Sequence, residues 1–199
     1  MKNLCVRICG AVLLAVSTGV CAMPTLVSNG SGGYSGASGI EVAGYGAWNV
    51  AFRDGTCAEV YSGCDEVSDL YDFGFAAQAT LAFFNAFLAG TNVSDLDSNP
   101  GLMDGCVSTS DNCLLLSPYA FSAVAVGNLR TVWAQNRGGP FELSDDAQTG
   151  AVGQSGPGND TSSTWAVWTR QVPEPGSLSL AVVALGLIAA GSAWRKALR

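Results

Sequence analysis

The chain contains no histidine, so its chemistry rests on cysteines and side-chain oxygens. Ser-His-Asp and Cys-His nucleophiles, His-based zinc hydrolases and the common general base near pH 7 are all excluded. Seven cysteines occur. Cys5, Cys9 and Cys21 fall in the N-terminal signal region, residues 1–22, and Cys57, Cys64, Cys106 and Cys113 in the body. Four body cysteines in an oxidising compartment suggest two disulfides, for which three connectivities exist. Both pairs share the spacing Cys-x6-Cys, and the repeat favours Cys57–Cys64 with Cys106–Cys113. Each bridge would close a loop of about eight residues and stabilise by roughly 2–3 kcal/mol. A four-thiolate zinc site is the alternative, but structural zinc prefers shorter Cys-x2–4-Cys spacings.

Oxygen ligands cluster once. Asp95-Leu96-Asp97-Ser98-Asn99-Pro100-Gly101 places Asp95, Asp97 and Asn99 at alternate positions, as calcium loops do. The glycine falls seventh rather than sixth, and the twelfth residue is Cys106 rather than Glu. An Asx-rich turn fixed by Pro100-Gly101 is the plainer reading. No other cofactor is expected. Asp65/Glu66 and Asp69/Asp72 could serve as a glycosidase acid and base; charges beside a turn are more often solvated. Gly153-Gln154-Ser155-Gly156 is a broken Gly-x-Ser-x-Gly, and no phosphate-binding glycine loop precedes a helix. No catalytic residue is assigned and the chain is expected not to be an enzyme.

Charge narrows the partners. Between residues 23 and 172 stand 15 of the 16 acidic residues against Arg53, Arg130, Arg137 and Arg170, a net charge of −11. Such a surface repels nucleic acid and anionic lipid.

These residues need a scaffold, and the patterning predicts one of α+β class: a mostly antiparallel sheet with one packed helix. Residues 23–39 read as a Gly/Ser-rich, flexible lead-in. Segments 40–44 and 47–52 alternate as two strands around Gly44-Tyr45-Gly46, with Val42, Trp48, Val50 and Phe52 toward the core. Residues 70–75 read as a short strand. Residues 76–89 form the best helix, apolar nearly all round, with Gln78 and Asn85 as its polar stripe and Gly90 as its stop. Four further strands are expected at 114–116, 121–126, 131–134 and 164–169, with a long loop over 135–163. The four tryptophans at 48, 133, 165 and 168 are expected mostly in the core; on one exposed face they would suggest glycan stacking.

Both ends carry sorting signals. Lys2 and Arg7 precede an apolar segment, residues 8–20, and Val20-Cys21-Ala22 fits signal cleavage after Ala22. Cys21 invites a lipoprotein reading, but Val20 stands where a small residue is wanted. At the other end, Val172-Pro173-Glu174-Pro175-Gly176 leads into an uncharged span, residues 178–194, closed by Arg195, Lys196 and Arg199. That span reaches roughly 25 Å as a helix, near the lower limit for crossing a bilayer. The cations place the last residues in the cytoplasm and the body outside the inner membrane. The order Pro-Glu-Pro, span and basic end resembles the PEP-CTERM sorting tail of Gram-negative bacteria. The resemblance implies an exosortase-type membrane processing enzyme as partner and export to the surface or matrix. The body also resembles bodies of other PEP-CTERM proteins at Asn49-Val50-x-Phe52-x-Asp54-Gly55-x-Cys57, Gly63-Cys64-Asp65, Gly105-Cys106, Pro118-Tyr119 and Trp165-Ala166-Val167-Trp168-Thr169, and carries no assigned activity from them.

The expected organisation is a signal peptide (1–22), the lead-in (23–39), an extracytoplasmic α+β domain (40–171) and the sorting tail (172–199). The expected function is a cell-surface or extracellular-matrix protein of structural or adhesive type. It would be anchored in the inner membrane in transit, then sit at the surface, with exopolysaccharide or another matrix polymer as partner and no nucleic acid. A secreted carbohydrate-active enzyme with paired carboxylates is the alternative.

Overall fold

A computed structural model describes residues 23–89, 94–107, 111–123, 127–138, 145–154 and 156–172. The expected signal peptide, with Ala22, and the expected membrane helix therefore lie outside the described residues. Within them are seven strands: β1 (Thr25–Ser28), β2 (Tyr34–Val42), β3 (Gly46–Arg53), β4 (Asn112–Phe121), β5 (Asn128–Arg137), β6 (Asp146–Gly153) and β7 (Ser163–Arg170). They form one sheet in the order β1-β2-β3-β7-β4-β5-β6. Every pairing is antiparallel except β4 with β7. Three helices accompany them: α1 (Cys57–Val60), α2 (Phe73–Phe87) and α3 (Asp95–Ser98). The α+β expectation of a mostly antiparallel sheet with one main helix holds.

Side-chain alternation splits the two faces of the sheet. Leu115 of β4 and Ala166 and Trp168 of β7 join the α2 side with Phe75, Ala79, Phe83 and Phe87. Their strand neighbours Leu116 and Trp165 join a second cluster with Tyr61 and the Cys57–Cys64 bridge. The α2 side also holds a buried polar chain. Trp168 Nε1 donates to Ser117 Oγ at 3.0 Å, and Ser117 and Thr80 share a 2.9 Å hydrogen bond. A satisfied chain of this kind fixes α2 over β4 and β7.

The hairpin around Gly44-Tyr45-Gly46 forms as expected, with Val42 opposite Gly46. Val42, Val50 and Phe52 are buried, and Trp48 packs half-buried against the same core. The flexible lead-in is corrected: β1 and most of β2 occupy it. Its glycines serve close packing. A Cβ at Gly36 would lie 2.1 Å from the Val50 carbonyl oxygen on β3. At Gly39 (φ 71°) β2 bulges, and its N–H donates to Asn49 Oδ1 at 3.1 Å.

Residues 70–75 are not a strand. Asp72 caps α2, accepting from the Phe75 N–H at 3.0 Å, so the helix starts at Phe73 rather than 76. Gly90 lies outside the described residues. The segments at 114–116 and 121–126 do not make two strands: β4 is a single strand through Phe121, bulged between Pro118 and Ala120, and residues 124–126 are not described. The loop over 135–163 in fact carries the end of β5, then β6 and a 3₁₀ turn, Gly156–Asn159. The β6 sequence DAQTGAVG is small and polar, as suits an exposed edge, and so gave no apolar alternation to read.

Candidate functional site

The end of β7 decides how the C-terminal tail is presented. β7 lies between β3 and β4, inside the sheet. Its last pair is Arg170 opposite Trp48. One further bond, from the Gln171 N–H to the Ala47 carbonyl at 3.0 Å, ties the chain down. Val172 is 77 % exposed. The fold therefore holds the chain to Gln171 and releases it one residue before Pro173. Of the tail residues Val172, Pro173, Glu174, Pro175, Arg195, Lys196 and Arg199, only Val172 is described.

A family profile for the PEP-CTERM protein-sorting motif matches residues 171–197. The chain carries a PEP-CTERM sorting motif. The match begins at Gln171, the residue that makes the last sheet bond, so the motif starts where the sheet ends. The motif supports sorting by exosortase toward the cell surface. No curated protein matches the chain, and no solved structure matches it. Among the described residues no helix is long and apolar enough to cross a membrane; the span at 178–194 of the PEP-CTERM tail lies outside them.

The body's cysteines pair as their spacing suggested. Cys57 bridges Cys64, and Cys106 bridges Cys113, with Cα atoms 5.7 and 6.1 Å apart. A zinc tetrathiolate is thereby corrected, because both thiol pairs are consumed. The first bridge is set up by a capping box. Glu59 N–H donates to Thr56 Oγ1, while the Thr56 N–H donates to Glu59 Oε2 at 2.7 Å. The second ties the turn after α3 to the start of β4.

The acidic pairs near the first bridge serve the backbone. Asp69 Oδ2 accepts from the N–H groups of Asp65 and Glu66, Glu66 accepts from Ser68, and Asp72 caps α2. Trp165 and Trp168 are buried, on opposite faces of the sheet, while Trp48 and Trp133 are half-buried, also on opposite faces. They form no common exposed surface.

The alternate oxygens at 95, 97 and 99 do not converge. Residues 95–98 turn as a helix, with Ser94 as N-cap. A helical turn spreads alternate residues over different faces where an extended loop would line them up. Asp97 is fully buried, Asp95 and Asn99 are exposed, and Asn99 Nδ2 donates to the Asp95 carbonyl. Among the described residues no group of three Asp, Glu, His or Cys could hold a metal.

Asp97 instead meets Asp145, a residue the sequence reading did not single out. Asp145 precedes β6, and its Oδ1 accepts from the Arg137 N–H at 2.6 Å. Burial pushes its carboxyl up to about 7, and the neighbouring Asp97 carboxyl pushes the same way. The two acids are 48 residues apart, so only the return of β6 along β5 brings them together.

The sign of the linkage follows. Asp145 binds its proton more tightly folded than unfolded, so its contribution to stability is largest at low pH and falls as pH rises from about 4 to about 7. Discounted for solvent screening, the loss is about 1 kcal/mol. Carboxylates held low, such as Asp160 beside Ser162, slope the opposite way. The expected result is therefore a difference: with chelator present, Asp145→Asn gains relative to wild type in denaturant melts on going from pH 4.5 to 7.5. Parallel pH profiles would show that the pair is not coupled.

Proposed function

We propose that this is an exported cell-surface or extracellular-matrix protein of structural or adhesive type, handed to exosortase by its PEP-CTERM tail and processed there. In transit residues 178–194 anchor it in the inner membrane. Its partner at the surface is exopolysaccharide or another matrix polymer. The observation that carries this reading is the match of the sorting motif over residues 171–197, which starts where the last sheet bond is made and Val172 is already exposed.

Two features support an adhesive body. Two short-range disulfides hold the body against the exterior. Phe73, 53 % exposed, packs its ring 4.9 Å from Tyr119, and the Arg130 guanidinium lies 5.5 Å above Tyr119. Such an aromatic corner with a cation offers a stacking surface to a sugar ring. The groove between β2 and α2, about 510 Å³, is lined by Ile40, Gln78, Leu81 and Asn85 with Glu41 as its one acid, which suits contact rather than acid–base chemistry.

Truncation tests the division of labour. A chain ending at Gln171 is expected to cross the inner membrane, form both disulfides and melt as cooperatively as the full protein, yet pass to the soluble fraction without reaching the surface. Surface display at wild-type level without the tail would overturn the reading.

A further inference from the structure

Tyr119 is the extra residue of the β4 bulge. Pro118 pairs with Thr131 and Ala120 with Arg130, which leaves Tyr119 no strand partner of its own. A bulge of this kind re-aims a side chain and takes it out of the ladder. The half-buried Tyr119 ring lies 4.9 Å from that of Phe73, the first residue of α2, with the two planes tilted by 58°. The start of α2 is fixed against the bulge: the Tyr71 N–H donates to the Pro118 carbonyl at 3.2 Å, and Asp72 is occupied as the helix cap. Phe73 is nevertheless 53 % exposed. An exposed aromatic on a rigid support has little freedom left to lose on binding. Arg130 completes the corner. It is exposed on β5, flanked by Ala120 of β4 and Ala151 of β6, two small neighbours that leave it room. Its guanidinium stands 5.5 Å from the centre of the same Tyr119 ring. Phe73 and Arg130 are therefore no farther apart than these two distances combined. Among the described residues no carboxylate pairs with this guanidinium, in a chain with 16 acidic residues.

We propose that Phe73, Tyr119 and Arg130 form a subsite for a single uronic-acid residue of the matrix polymer, with the pyranose stacked on the aromatic pair and its carboxylate taken by Arg130. A gluco-configured β-pyranose carries its ring substituents equatorially and so presents C–H faces, which an aromatic ring accepts. The guanidinium fork matches a carboxylate in shape and charge. A neutral sugar would use the rings and leave the cation uncompensated. The carboxylate of a uronate stands at the ring's edge, so one sugar laid on Phe73 reaches the guanidinium beside Tyr119. The acidic body repels a polyanion along its length, which limits recognition to one exposed uronate rather than a wrapped charged chain. The proposal rests on the matrix-polymer reading and adds to it the charge class of the sugar.

Titration of the full chain with methyl β-glucuronide, followed by NMR in a mild detergent that has no sugar headgroup, tests it. Saturable shifts are expected at Phe73, Tyr119 and Arg130, with a dissociation constant on the order of millimolar for one sugar. The methyl ester of the same glycoside keeps the ring and loses the charge, and should bind at least about fivefold more weakly. Phe73→Ala and Arg130→Gln should each weaken the acid by about fivefold or more. Both positions are exposed, so melts of these variants should match wild type. Arg53→Gln removes the same charge from another exposed site and should leave binding unchanged. Absence of saturable shifts, shifts that leave out these three residues, an ester that binds as tightly as the acid, or an equal loss in Arg53→Gln would each overturn the proposal. Equal binding of the ester leaves the matrix-polymer reading standing. That reading fails instead if cells stripped of surface polysaccharide keep the protein at wild-type level.

Discussion

Replacing Pro173-Glu174-Pro175 by three alanines should leave export and folding intact and keep the full-length chain in the membrane fraction. The body makes its last sheet bond at Gln171 and exposes Val172, so the substitution falls beyond the last sheet bond of the described fold. Two prolines fix φ and disfavour helix at the residues before them. Alanines do neither, and helix from the 178–194 span gains a run of good formers through which to grow toward the body. An extended backbone, which a membrane peptidase can bind along its length, would be lost, together with the anion of Glu174. On the proposed reading the span would set the height of the motif above the bilayer, and Arg195, Lys196 and Arg199 would resist outward slippage. Fractionation with intact-mass analysis decides the matter. A triple-alanine protein that reaches the surface or medium at wild-type level, with wild-type mass, would show that the PEP triplet is only a linker.

Phe83→Ala is expected to destabilise the body by about 3–5 kcal/mol, against a total near 5–15 kcal/mol for a domain. Phe83 is fully buried and stands at the middle of α2. Its ring meets Phe52 of β3 edge-on at 5.7 Å and Phe87 at 5.2 Å. Truncation would leave a cavity beneath a helix that Thr80 also ties down through Ser117, so the neighbours cannot collapse into it. Leu81, two positions earlier in the helix, is 43 % exposed, and Leu81→Ala should lose about 1 kcal/mol or less. Urea melts of the chain ending at Gln171, at constant slope, measure both. Equal losses at the two positions would mean that α2 does not pack on the sheet through the Phe83 face.

Several features were legible because they are local. The cysteine pairing could be read from two equal spacings, since each bridge closes within seven positions. The β2–β3 hairpin was legible from alternation around a glycine turn, and α2 from its length and apolar run. Misreadings arose where one residue type serves two purposes. Gly36 looks like flexible linker and is a contact point between strands. Asp72 looks like part of a strand and is a helix cap. β6 was hidden because an exposed edge strand needs no apolar face. The Asp97–Asp145 pair was invisible for a different reason: nothing near either residue announces the other.

The sequence by itself carried the PEP-CTERM sorting motif, the pairing of the body thiols and the fold class, because a sorting motif, short disulfide loops and side-chain periodicity are all written within short stretches of chain. Only the tertiary structure decided the strand order β1-β2-β3-β7-β4-β5-β6, in which β7 enters parallel to β4, and the exposure of the chain just past Gln171. It also decided which acids are exposed caps and which one, Asp97, is buried beside Asp145. Those outcomes depend on contacts between residues far apart in the chain, where burial and the loss of water set the energies.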